Sequence, residues 1–140
     1  MTLSDLKTAL VNAATDSLVY TVLFAYEEYI QYAEKTYPLI LWDFGKMTEL
    51  FNRRDNKSVY TIDCYCIVEV TPEDDEQERM VYTFDKAKEA IESYLDYVVQ
   101  QDNITIENEA NTKVEYYEAG MFSVDREMGI KYVIELKTWC

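Results

Sequence analysis

The chain contains no histidine. That removes the side chain that titrates nearest neutral pH and serves most often as general base or metal ligand. Ser–His–Asp and Cys–His constellations therefore cannot form within one chain. Glycine is scarce, three in 140 residues, and no two lie close enough to make a phosphate-cradling loop. Positive charge is scarce too. Lys and Arg number 13 against 27 Asp and Glu, a net charge of -14. Nucleic-acid binding runs on cationic side chains displacing counterions from phosphates, so the average field here repels DNA. The same sign works against anionic membrane surfaces. Only Arg53, Arg54 and Lys57 come close together.

No apolar run approaches the roughly 18–20 residues that span a bilayer; the longest, 38–42, is strand-sized. Met1-Thr2-Leu3-Ser4-Asp5 lacks the basic start and apolar core of a signal peptide. Three cysteines without a secretion signal lead us to expect free thiols in a reducing compartment.

What the chain does have is apolar and aromatic surface. Hydrophobic residues make up 49% of it, too many for a disordered polyanion. Thirteen tyrosines add rings with polar tips, suited to core edges and to interfaces. At this length one domain, residues 1–140, is expected, with a core that needs no staples.

Leu3, Leu6, Leu10 and Ala13 follow helical spacing and predict a helix over 3–15, with Ser4 as cap and Lys7 where a capping box would want Glu. Residues 18–26 read ambiguously, with Val19, Tyr20, Thr21, Val22 and Phe24 favouring a strand. Residues 27–35 read as helical up to Pro38, and 38–42 as a short buried strand. Residues 59–70 are the clearest strand. Tyr60, Ile62, Cys64, Cys66, Val68 and Val70 share an apolar face, and Val59, Thr61, Asp63, Tyr65, Ile67 and Glu69 a mixed one. That pattern predicts a sheet with one side on the core. An acidic loop over 71–76 should end it.

Phe84, Ala87, Ile91, Leu95 and Val98 then form a helical stripe, with Lys86, Lys88, Glu89, Glu92 and Asp96 off it. Two strands at 104–107 and 113–117 flank a polar turn or bulge at 108–112. A linker over 120–127 leads to a last strand at 128–136. The expected fold is α+β: an antiparallel or mixed sheet of four to five strands with two to three helices packed on one face.

Chemistry-bearing groups are few. Asp43 and Asp63 are the acids in apolar context. Asp63 faces the mixed side of its strand and should be solvated. Cys64 and Cys66 lie two apart on an apolar strand face, which fits buried thiols better than the turn-like spacing of zinc ligands. Glu73, Asp74, Asp75 and Glu76 resemble a calcium cluster in composition only, because the spacing and central glycine of an EF-hand are missing. A solvated loop or a subunit contact are the other readings. No catalytic residue, cofactor or metal is expected.

Three stretches carry a resemblance. They are Tyr37-Pro38-Leu39-Ile40-Leu41-Trp42; the long strand at 59–70 with its acidic loop and the helix around 84–98; and the closing strand from Met128 to Leu136 followed by Trp139-Cys140. This layout resembles small neck and tail-completion, or tail-terminator-like, proteins of tailed double-stranded DNA phages, crAss-like phages among them. The resemblance spans residues 37–140. It implies a virion protein forming a hexameric or dodecameric ring, joined to portal, neck or tail proteins, with DNA passing through its channel without specific binding and with no membrane partner. An acidic lumen suits such passage, since like charge avoids sticking. Glu73, Asp74, Asp75, Glu76, Trp139 and Cys140 are the candidate partner-binding residues. The rival readings are a small acidic DNA-mimic inhibitor, of anti-restriction or anti-CRISPR type, and a generic protein-interaction module. Lys residues interrupting the acidic runs weigh against the mimic.

Overall fold

The structure, a computed structural model, describes residues 1–25, 36–70, 75–117 and 127–139. The elements are α1 (Leu3–Asn12), β1 (Thr21–Ala25), β2 (Leu39–Asp43), a 3-10 turn at Phe44–Lys46, β3 (Thr48–Asn52), β4 (Lys57–Glu69), α2 (Glu76–Val98), β5 (Ile104–Ile106), β6 (Lys113–Tyr117) and β7 (Glu127–Trp139). The seven strands form one sheet in the order β1-β2-β4-β7-β5, with β3 also on β4 and β6 also on β7. β1 runs parallel to β2, and every other pairing is antiparallel. The fold is α+β with a mixed sheet, as expected. Among the described residues it has seven strands rather than four to five, and two α-helices.

The axis of the sheet is the ribbon of β4 and β7, each of 13 residues, paired from Lys57↔Trp139 to Glu69↔Glu127. Strict alternation makes both strands pair this way. Tyr60, Ile62, Cys64, Cys66 and Val68 of β4 share a face with Ile130, Tyr132, Ile134 and Leu136 of β7. α2 covers that face with Ala87, Ala90, Ile91, Tyr94, Leu95 and Val98, and α1 adds Leu6 and Leu10. Each large aliphatic side chain buried there stabilises the fold by roughly 1.5–3 kcal/mol.

Several expectations change. The cap of α1 is Thr2, not Ser4. Thr2 Oγ1 accepts from the Asp5 amide at 3.1 Å, and Asp5 Oδ2 accepts from the Thr2 amide at 3.0 Å. Asp5 thus closes the capping box from the third helical position, which a cap at Ser4 would leave to the unsuitable Lys7. α1 ends at Asn12 rather than 15.

The core is not confined to one side either. Leu39, Leu41, Tyr65 and Ile67 are fully buried on the opposite face of the sheet. The mixed face of β4 is polar at Thr61 and Asp63 but apolar at Tyr65 and Ile67, so its two halves have different fates.

Strand ends shift as well. Val70 lies outside β4, and β7 begins at Glu127 and continues to Trp139. β3 has no counterpart in the sequence reading, because all five of its residues are exposed and carry no apolar alternation to a core. The helix expected over 27–35, the loop at 71–74 and the linker up to 126 lie outside the described residues.

Candidate functional site

Cys64 and Cys66 point into the main core and are fully buried. Burial pushes both thiols up, so neither forms a thiolate near neutral pH. Among the described residues, no group of three or more Cys, Asp or Glu side chains comes together to hold a metal ion.

Asp43 is fully buried at the end of β2. Its Oδ1 accepts from the Gly45 amide at 3.1 Å, while Oδ2 has no hydrogen-bond partner. Burial raises its carboxyl above the ordinary range, opposed by the charge of Lys46. This matches the apolar context read from the sequence. The contacts of Asp43 with the backbone shape the 3-10 turn that follows it, and the neighbouring Asp63 carboxylate adds to the upward push on its titration.

Asp63 is not simply solvated. It faces Lys131, whose Nζ lies 3.8 Å from Asp63 Oδ2 and 2.8 Å from Glu115 Oε2. Lys113 approaches Glu115 Oε1 at 3.1 Å, and the Tyr117 hydroxyl donates to Glu115 at 3.2 Å. The hydrogen bonds from Lys131 and Lys113 hold the Glu115 carboxyl down to about 2. This network pins β6 to β7 across the second face of the sheet.

A groove of about 620 Å³ runs between α1, β1 and the 3-10 turn. Val11, Val22, Phe24 and Phe44 line it, with Lys7 as its single charge among the described residues, 5.6 Å above the Phe24 ring.

Of the sequence-nominated contact residues, the described ones, Asp75, Glu76 and Trp139, do not converge. Asp75 is the N-cap of α2, its Oδ1 accepting from the amides of Gln77 at 2.9 Å and Glu78 at 3.1 Å. Glu76 is the first residue of the helix rather than part of a loop. Trp139 is not a loose tail. It is the last residue of β7, half-buried, paired with Lys57. Phe84 packs on Tyr116, which pairs with Ile130, so α2 starts toward the Glu127 end of the ribbon and Trp139 lies at the other. Glu73, Asp74 and Cys140 lie outside the described residues.

Two surfaces were missed in the sequence. The first is the β3–β4 hairpin. Leu50 is 77% exposed and Phe51 51%, and the turn beyond them carries Arg53 and Arg54, with Lys57 opening β4. The turn is firmly built. Asn52 Oδ1 accepts from the amides of Arg54 at 3.0 Å and Asp55 at 3.2 Å, and Asn56 takes φ 52°. The second surface is at the start of α2, where Val81 is 56% exposed, Tyr82 51%, and Tyr116 of β6 53%. The Phe84 and Tyr116 rings stack edge-on at 5.0 Å beside them. Leu50-Phe51 followed by the one basic group of an acidic chain was the available signal for the first. Nothing in the sequence separated Val81 and Tyr82 from the core stripe two residues on. The chain matches no protein-family model and no curated protein.

Proposed function

We propose that the protein is a structural component of a tailed-phage virion, a ring-forming subunit at the neck or head–tail junction that joins portal to tail and lets DNA pass. The observation that carries this is the β3–β4 hairpin, a strand exposed at all five positions with Leu50 and Phe51 turned to solvent. Exposed large apolar side chains on an edge strand mark protein contacts rather than catalysis. The net charge of -14 supports passage of DNA over attraction to it. Burial pushes the titration of the Cys64 and Cys66 thiols up, which weighs against thiolate chemistry as a competing reading.

The test is mass spectrometry of purified particles together with electron microscopy of the purified protein. The protein should be present in virions at a fixed stoichiometry and form closed rings. Its absence from particles would overturn the virion reading. The DNA-mimic reading would then move forward, although Arg79, Lys86 and Lys88 break up the carboxylates of α2.

A further inference from the structure

We propose that copies of this chain join head to tail, the β3–β4 hairpin of one copy seating on the exposed start of α2 and Tyr116 of the next. The proposal rests on the self-assembly reading above and names its contact.

The two surfaces are complementary. The hairpin offers Leu50 and Phe51 with Arg53, Arg54 and Lys57, and none of these cations makes an ion pair among the described residues. The α2 surface offers Val81, Tyr82 and Tyr116, with exposed Asp75, Glu76 and Glu78 one to two turns away. Apolar groups meet apolar groups while cations meet carboxylates, the arrangement that gives an interface both affinity and register. The groove beside α1 is a poorer seat, because its one charge among the described residues, Lys7, has the sign of the hairpin.

The surfaces cannot satisfy each other within one chain. β3 lies on the β4 edge of the central ribbon and β6 on the β7 edge. Phe51 is level with Ser58, and Tyr116 is level with Ile130 and so with Cys66. That is about eight residues of strand, roughly 26 Å at ~3.3 Å per residue. The patches therefore occupy diagonally opposite corners of the sheet. A contact between two different surfaces that is made once per pair of copies is heterologous, and such contacts repeat into a closed ring or an open filament.

The experiment uses two double variants, Leu50→Asp/Phe51→Asp and Val81→Asp/Tyr116→Asp, measured by sedimentation velocity beside the unaltered protein. All four side chains are exposed or at the margin of the fold, and circular dichroism with an unfolding curve checks that both variants stay folded. The unaltered chain should assemble beyond a dimer as concentration rises, more weakly at high salt. Each variant alone should associate about tenfold more weakly or not at all, the scale of losing interface hot spots. Mixed one to one, the two should give a species of two chains and no larger, since each mixture pair keeps one intact contact. The proposal is overturned if the unaltered chain stays monomeric, if either variant assembles normally, or if the mixture gives no two-chain species. Binding of DNA by the hairpin, lost in Arg53→Glu/Arg54→Glu without any change in assembly, would also overturn it. Assembly as stated with no protein in virions would leave this contact standing and remove only the virion reading. Protein present in virions, with assembly insensitive to both variants, would do the reverse.

Discussion

The Trp42 indole N–H donates to the Tyr94 hydroxyl at 2.8 Å, and that hydroxyl donates to the Leu10 carbonyl at 2.8 Å. One buried phenol thus ties β2, α2 and α1 together, with the two rings 6.1 Å apart. Burial pushes the Tyr94 hydroxyl well above its ordinary range, so it remains a neutral donor throughout the accessible pH range. Tyr94→Phe should leave an indole N–H and a carbonyl unpaired, at about 1–3 kcal/mol for each group. Urea unfolding followed by tryptophan fluorescence checks it. A loss below about 0.5 kcal/mol would mean that the bonds contribute no more than water does in their place.

The α2 face is a second test. Ile91 is fully buried and Leu95 nearly so, and truncating either to Ala should cost roughly 2–5 kcal/mol. Glu92, off the apolar stripe of α2 in the sequence, accepts from the Tyr132 hydroxyl at 2.6 Å. Glu92→Ala should therefore cost about 1 kcal/mol. Exposed Glu89→Ala is the silent control. Equal unfolding midpoints for Leu95→Ala and Glu89→Ala would place the wrong face of α2 against the sheet.

What was legible in the sequence follows from periodicity. β4 and β7 alternate without a break on their core faces, and α2 repeats Ala87, Ile91 and Val98 at helical spacing, so these elements could be read with the right partners for burial. β3 could not. Its order comes from pairing Thr48–Asn52 against Lys57–Thr61, a long-range register that leaves no pattern in five exposed side chains. Ser4 stands as well placed as Thr2 for an N-cap, but Lys7 does not complete a capping box, whereas Asp5 three residues after Thr2 does. The candidate site was the least legible part. Exposure of Val81 and Tyr82 depends on where the sheet ends beneath α2, and Trp139 counts as tail or strand only once Lys57 is known to pair with it.

Glu115 gives a pH dependence with a definite sign. Its carboxyl titrates near 4.5 when free and is held down to about 2 in the fold by hydrogen bonds from Lys131 and Lys113. Between those values the unfolded chain binds more protons, so stability rises with pH across the window. The contribution is complete above about 4.5 and lost as pH falls toward 2. Glu115→Gln should be less stable than the parent at pH 6 and indistinguishable from it near the bottom of the window. A difference that persists unchanged at low pH would assign the effect to packing of β6 rather than to charge.

The hairpin turn links backbone chemistry to assembly. Asn56 sits at φ 52°, the left-handed region, where a β-branched side chain crowds its own backbone and costs roughly 1–2 kcal/mol. Asn and Gly tolerate the region. The turn lies at the exposed end of the sheet, and β3 contributes no buried residue to the core. Asn56→Val should therefore loosen the hairpin locally while the β4–β7 ribbon, paired over its whole length, keeps the fold intact. Amide exchange should speed up selectively at the β3–β4 pairs between Thr48↔Thr61 and Asn52↔Lys57. Self-association should weaken in step, because those pairs hold Leu50 and Phe51 in register. Asn56→Gly, which accepts the same φ, should exchange and assemble nearly as the parent does. If Asn56→Val frees the hairpin amides but leaves assembly unchanged, a rigid hairpin is not what the neighbouring copy recognises.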